Sequence, residues 1–221
     1  MKEETTTMTR ITPSPALLRD GIVAVLRADD ASRYRPVAEI LAEEGIRSIE
    51  LTLTTPGTLD ALEQIAAAMP EADIGVGTVL RPEHALRAID AGARFLATPN
   101  TGTAVIEAAV HRGVATYAGA MTPSEAFTNW EAGAAAVKIF PAATVGPQYV
   151  SHLRGPFPDM LVMPSGGVAL GDIPAWIDAG AIAVSLGGPL LGDSLKGGDT
   201  NSLRQRARAA VAAVTGARAA S

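Results

Sequence analysis

The chain has 221 residues, a formal net charge of -5 and aromatic residues at only 4%. That is one domain's worth of sequence, with no basic surplus for gripping a phosphate backbone and too few rings for base stacking, so nucleic-acid binding is disfavoured. It holds no Cys and three His, at positions 84, 111 and 152, without metal-ligand spacing, which leaves thiolate chemistry and histidine-rich metal sites unsupplied.

Residues 1–10 are polar and read as a disordered tail, without the apolar core of a signal peptide. Residues 11–221 read as a single domain. No run approaches the apolar length of a membrane span, and the expected setting is cytoplasmic. Residues 13–20 suit a short helix capping a barrel floor. Ile22–Arg27 is the first β-branched run, followed by a helical stretch over Ser32–Glu44. Ile46–Leu53 is the second, turned by Thr55-Pro56-Gly57 into a helix through Ala68. Asp73–Val79 precedes a helix opening at Pro82, a favoured first-turn position. Arg94–Ala97, Val114–Ala118, Ala135–Ile139, Leu161–Met163 and Ile182–Leu186 supply five further strands. Helices between them begin near Thr101, Thr122-Pro123, Pro147 and Gly171-Asp172. Glu44-Gly45, Ala91-Gly92 and Ala179-Gly180 place glycine where a left-handed helix cap is needed. A last helix carries Leu203, Ala207, Ala210, Val211 and Val214 on one face.

Eight strand-then-helix units in about 200 residues match a (β/α)8 barrel at the short end of its size range. The runs are continuous rather than alternating, as buried parallel strands are. The rival is an open doubly wound sheet, which would place a glycine fingerprint after the first strand; the sequence has Arg27-Ala28-Asp29-Asp30 there. The barrel is the expected fold.

Active sites of such barrels lie at the C-terminal ends of the strands. Lys138 falls within the sixth strand. A buried ammonium is costly, so it must be paired, reach a wet mouth, or have a depressed pKa, the last being what a Schiff-base lysine needs because the neutral amine attacks. Glu50 falls within the second strand, sharing a face with Thr52 and Thr54 by strand period. It is either a partner for a buried cation or a general acid/base. Ser165-Gly166-Gly167 and Leu186-Gly187-Gly188 follow the seventh and eighth strands, where barrels often bind phosphate through backbone N–H groups; the alternative is two ordinary turns. Arg27, ending the first strand, suits a carboxylate or phosphate clamp, or else a salt bridge at the mouth. Thr78 follows Gly75-Val76-Gly77, a strand of little bulk that leaves interior room. The three histidines fall in helical stretches and are assigned no role.

Val137-Lys138-Ile-Phe-Pro-Ala142, Gly77-Thr78-Val79-Leu80, Glu50-Leu-Thr52-Leu and Pro164-Ser165-Gly166-Gly167 resemble motifs of the 2-keto-3-deoxy-6-phosphogluconate (KDPG) and 4-hydroxy-2-oxoglutarate (KHG) aldolases. The resemblance runs from about Leu18 to the C-terminal helix. It implies a class I lyase on a (β/α)8 barrel, without a metal cofactor, usually homotrimeric, acting on a small 2-keto acid. It places the Schiff-base lysine on Lys138 and the general acid/base on Glu50. Thr78 falls on the threonine that helps hold the pyruvate carboxylate, Pro99 and Phe140 on pocket-lining positions, and Ser165, Gly166 and Gly167 on the phosphate loop. Two positions depart from the pattern. Thr54 stands where well-known members carry an arginine for the substrate carboxylate, a role Arg27 can assume; Pro189 stands where phosphate-gripping members often have Ser, and removes both a hydroxyl and a backbone donor. The implied reaction is cleavage of a 2-keto-3-deoxy sugar acid, KDPG above all, to pyruvate and glyceraldehyde 3-phosphate, with 4-hydroxy-2-oxoglutarate as a second substrate. The rivals are a sugar-phosphate epimerase or isomerase on a phosphate-binding barrel, and a non-catalytic barrel protein.

Overall fold

A computed structural model describes residues 10–220. Eight strands carry the architecture: β1 (Ile22–Leu26), β2 (Ser48–Thr52), β3 (Asp73–Gly77), β4 (Phe95–Ala97), β5 (Ala115–Ala120), β6 (Ala136–Ile139), β7 (Val162–Pro164) and β8 (Val184–Leu186). They pair in parallel in the order β7-β6-β5-β4-β3-β2-β1-β8. A single parallel bridge, Ser165 to Ser185, joins the two ends, and the Ile182 N–H adds a bond to the Val162 carbonyl at 3.0 Å. The expected (β/α)8 barrel is therefore the fold.

Helix α1 (Pro15–Asp20) precedes the first strand, and α2 (Tyr34–Glu43), α3 (Thr58–Ala68), α4 (Pro82–Asp90), α5 (Thr103–His111), α6 (Pro123–Glu131), α7 (Gln148–Arg154) and α8 (Ile173–Asp178) alternate with the strands. A one-turn α9 (Gly188–Leu191) and the long α10 (Thr200–Ala220) complete the ring. The expected helix over Ser32–Glu44 is shorter, because Asp30 caps a 3-10 turn at Ala31–Arg33 before α2 begins. Gly45, Gly92 and Gly180 take the left-handed conformation at φ 95°, 98° and 100°, where a Cβ would be strained. On α10 the buried face is Leu203, Ala207, Ala210, Val214 and Ala217; Val211 lies half-exposed at its edge.

Of the three clusters of buried apolar residues, the two largest have different tasks. The larger one fills the space between strands and helices. The smaller packs inside the barrel, where Val23, Phe95, Tyr117 and Met163 meet Leu17 from α1, so that α1 plugs the floor. Phe95 and Tyr117 sit with ring centroids 5.0 Å apart. The expected tail over residues 1–9 lies outside the described residues. Arg10, its last position, is placed: its guanidinium donates to the Ala134 carbonyl at 2.6 Å and stacks on the Trp130 ring at 3.4 Å.

Candidate active site

Period-two alternation along the strands decides which residues reach the barrel interior. On β2 it turns Ser48, Glu50 and Thr52 inward; on β6 it does the same for Ala136 and Lys138. The Lys138 ammonium donates to both oxygens of the Glu50 carboxylate, at 3.1 Å and 3.3 Å. Their side chains are 7% and 2% exposed. Of the three fates open to a lysine in this strand, the structure therefore shows pairing. Removing one partner of such a buried pair strands the other charge and costs about 3–5 kcal/mol.

Room for this pair comes from glycine. Gly77 on β3 lies beside Glu50, and a Cβ there would fall on the carboxylate itself. Gly119 on β5 likewise lets the Pro99 backbone approach, since its Cβ would meet the Pro99 carbonyl group. The Thr98 hydroxyl accepts from the Gly119 N–H at 3.0 Å and donates to the Asn100 carbonyl at 2.6 Å, which holds Pro99 against the mouth. The result is a cavity of about 170 Å3 with Lys138 and Glu50 in its wall.

Arg27, Thr78, Pro99, Phe140, Ser165, Gly166, Gly167, Gly187 and Gly188 line the same cavity. Thr78 is held at φ 60°, a left-handed conformation that a β-branched residue adopts only under constraint, at a cost of about 1–3 kcal/mol. Its hydroxyl accepts from the Arg27 guanidinium at 3.4 Å. Gly166 and Gly167 have φ of 84° and 79°, and a Cβ on Gly166 would press on the Phe140 ring.

Thr54 is the exception. β2 ends at Thr52, so Thr54 lies in the following turn rather than in the strand; its hydroxyl donates to the hydroxyl of inward-facing Thr52 at 3.2 Å. It borders a neighbouring depression instead. Pro189, the departure noted after the eighth strand, also lines it, as do two residues that were not singled out in the sequence, Val25 and Ser185. Ser185 accepts from the Ser165 hydroxyl at 3.1 Å. The same period-two count that turns Gly187 inward would have found it. His111 and His152 are exposed, whereas His84 is half-buried beside Thr58 and Arg87. No group of three or more His, Cys, Asp or Glu side chains that could hold a metal lies among the described residues. No described helix is long and apolar enough to cross a membrane.

An amine and a carboxylate in contact, screened from solvent and bordering a small cavity, can form an imine with a carbonyl and pass protons around it. The comparison with known proteins agrees. Residues 15–205 match the family model described as KDPG and KHG aldolase. The chain belongs to that family. It is a lyase, a class I pyruvate aldolase. Among relatives within the family, the 2-dehydro-3-deoxy-6-phosphogalactonate aldolase of Escherichia coli K12 is 36% identical over 171 residues, covering 76% of this chain and 83% of that one. The KHG/KDPG aldolase of the same organism is 30% identical over 204 residues, covering 90% and 95%. The KDPG aldolase of Legionella pneumophila, solved with pyruvate captured as a covalent carbinolamine intermediate, superposes with a TM-score of 0.82 at 25% identity, covering 90% of this chain and 98% of that one.

Proposed function

We propose that this chain cleaves a 2-keto-3-deoxy-6-phosphohexonate, the gluconate form or its galactonate C4 epimer, to pyruvate and glyceraldehyde 3-phosphate. It also cleaves 4-hydroxy-2-oxoglutarate to pyruvate and glyoxylate. The observation that carries this reading is the 3.1 Å contact between Lys138 and Glu50 in the cavity wall. Relatives bearing both phosphogalactonate and KHG/KDPG names support the breadth of substrate.

In this mechanism Lys138 passes a proton to Glu50 and attacks the substrate C2 carbonyl as the neutral amine. The carbinolamine so formed loses water, with Glu50 returning the proton, to give a protonated imine. That cation is the electron sink. Glu50 then takes the proton of the C4 hydroxyl, the C3–C4 electron pair moves toward the imine, and the aldehyde leaves. The enamine is protonated at C3, and water releases pyruvate and restores the amine. One carboxylate serves every step because the steps are sequential around one pocket. Arg27 and Thr78, joined across the mouth, hold the substrate carboxylate as a charge-assisted clamp. Pro99 and Phe140 form the apolar wall. The backbone at Ser165–Gly167 and Gly187–Gly188 faces the remainder of the chain of carbons. This reading includes a homotrimeric assembly, from the family resemblance, and a cytoplasmic setting, from the composition.

Borohydride reduction in the presence of pyruvate, followed by peptide mass spectrometry, tests the assignment. A reduced pyruvate adduct is expected on Lys138 and is expected to vanish in Lys138→Ala. An adduct on another residue, or none, overturns it.

A further inference from the structure

Arg27 comes to the cavity wall without a neighbour to steady its charged end. It follows β1, its contact Thr78 follows β3, and β2 lies between the two strands. Among the described residues its guanidinium has one hydrogen-bond partner, the Thr78 hydroxyl at 3.4 Å. The side chain is exposed, and a contact of that length does little to fix a long, rotamer-rich group. What aims the guanidinium is therefore the backbone from which it leaves.

That backbone is held on both sides of Arg27. The ladder between β1 and β2 runs as far as Leu26, opposite Leu51. Past the ladder's end a side chain takes over. The Thr55 hydroxyl donates to the Ala28 carbonyl at 2.9 Å and accepts from the Ala28 N–H at 3.1 Å. One oxygen thus meets both backbone polar groups of the residue after Arg27, in place of the strand partner that the ladder no longer offers. Thr55 is itself firmly set. It is 2% exposed, and its N–H donates to the Thr52 carbonyl at 3.1 Å. The hydroxyl of Thr58, the first residue of α3, donates to the carbonyls of Thr52 and Thr55 at 2.9 Å and 2.7 Å. A second tie between the same two loops runs from the Ala31 N–H to the Pro56 carbonyl at 3.2 Å. Arg27 therefore leaves a segment clamped at Leu26 by the sheet and at Ala28 by a single hydroxyl.

We propose that Thr55 is a positioning residue for substrate binding, its hydroxyl setting the direction from which Arg27 meets the carboxylate of a 2-oxo acid. The inference rests on the carboxylate clamp assigned to Arg27 above. Calorimetry with pyruvate, which carries the carboxylate and no distal group, tests it in four proteins: the parent, Thr55→Val, Arg27→Ala and the double variant. Valine keeps the branched shape and removes the hydroxyl. Arg27→Ala is expected to weaken pyruvate binding about tenfold, the loss of one charge-assisted contact. Thr55→Val is expected to weaken it about fivefold when Arg27 is present, the scale on which neighbouring residues couple, and to have no further effect once Arg27 is gone. Thr55→Ser should bind as the parent does. In turnover the loss should fall on KM and leave kcat, the mark of a contact made equally in ground and transition states. Equal weakening by Thr55→Val in both backgrounds would show that the hydroxyl only braces the barrel, and unchanged affinity would show that Arg27 needs no such support; either result overturns the inference. Should the valine variant fail to fold, Thr55→Ala, which leaves room for a water at Ala28, takes its place in the same cycle. Parental affinity in Arg27→Ala overturns the clamp and the role of Thr55 with it, whereas a parent that does not bind pyruvate overturns the aldolase reading itself.

Discussion

The two ends of the barrel each bury a carboxylate, and they treat it in opposite ways. At the mouth, Glu50 meets the Lys138 ammonium and borders open space. At the floor, Asp73 meets only hydroxyls, accepting from Ser14 at 2.5 Å and Ser48 at 3.3 Å, beneath the plug formed by Leu17 and the Phe95–Tyr117 rings. Burial raises the Asp73 carboxyl above its ordinary range, an effect the two serines and Arg94 only partly offset. It raises the Tyr117 hydroxyl as well, with the nearby Asp73 charge adding to it. A buried acid alone therefore does not make a site. What distinguishes the mouth is a cation in contact and a volume left empty beside it, for which Gly77 and Gly119 make room.

The comparison breaks most sharply at Glu50. Glu50→Gln keeps the shape and removes the carboxylate, and on the proposed mechanism kcat should fall by about 10²–10⁴-fold in a coupled pyruvate assay. Near-parent turnover would show that the mouth and floor acids differ only in partner. Next in size is Gly77→Ala. The added methyl falls where the Glu50 carboxylate lies, so overpacking should cost about 1–3 kcal/mol and displace Glu50 from Lys138. Chemical denaturation and the kcat of the same variant check it, and a stable variant with parental kcat would mean the carboxylate has room to spare. The smallest effect is expected at the floor. Because the folded state raises the Asp73 pKa, the folded protein binds this proton more readily than the unfolded chain, and its contribution to stability declines as pH rises from below the unfolded value, about 3.9, through the folded one. Asp73→Asn should thus leave Tm at pH 7 unchanged or higher. The difference should shift in the parent's favour as the solution is acidified. A variant weakest at neutral pH would show instead that Asp73 is needed as a charge.

Much of this layout was legible in the amino-acid order. Eight β-branched runs punctuated by Gly45, Gly92 and Gly180 set the barrel, because buried parallel strands and left-handed caps each leave a local mark. Lys138 and Glu50 stood out because charges inside such runs are rare. Thr54 falls beyond the end of β2 because strand ends are decided by partners: Thr52 is the last β2 residue paired with β3, opposite Gly77. The strained backbone of Thr78 has no local signature at all, since it is imposed by the contacts around it. Ser185 was within reach of strand parity, but a serine between Val184 and Leu186 attracts no notice until its hydroxyl is seen against Ser165. The depression that Thr54 borders was invisible in the sequence, since it is assembled from loops after β1, β2 and β8 that meet only in the closed barrel.

That closure is itself uneven. Seven of the neighbouring strand pairs form ladders, whereas β7 and β8 are joined by the Ser165–Ser185 bridge, and both of those serines belong to the wall of the cavity. The hoop of strands is thus fastened by a clasp, and the clasp sits in the wall of the cavity that holds Lys138 and Glu50. On the aldolase reading proposed above, a substrate spanning from the Ser165–Gly167 loop to Gly187–Gly188 would bridge this seam, so that occupancy would also brace the cylinder.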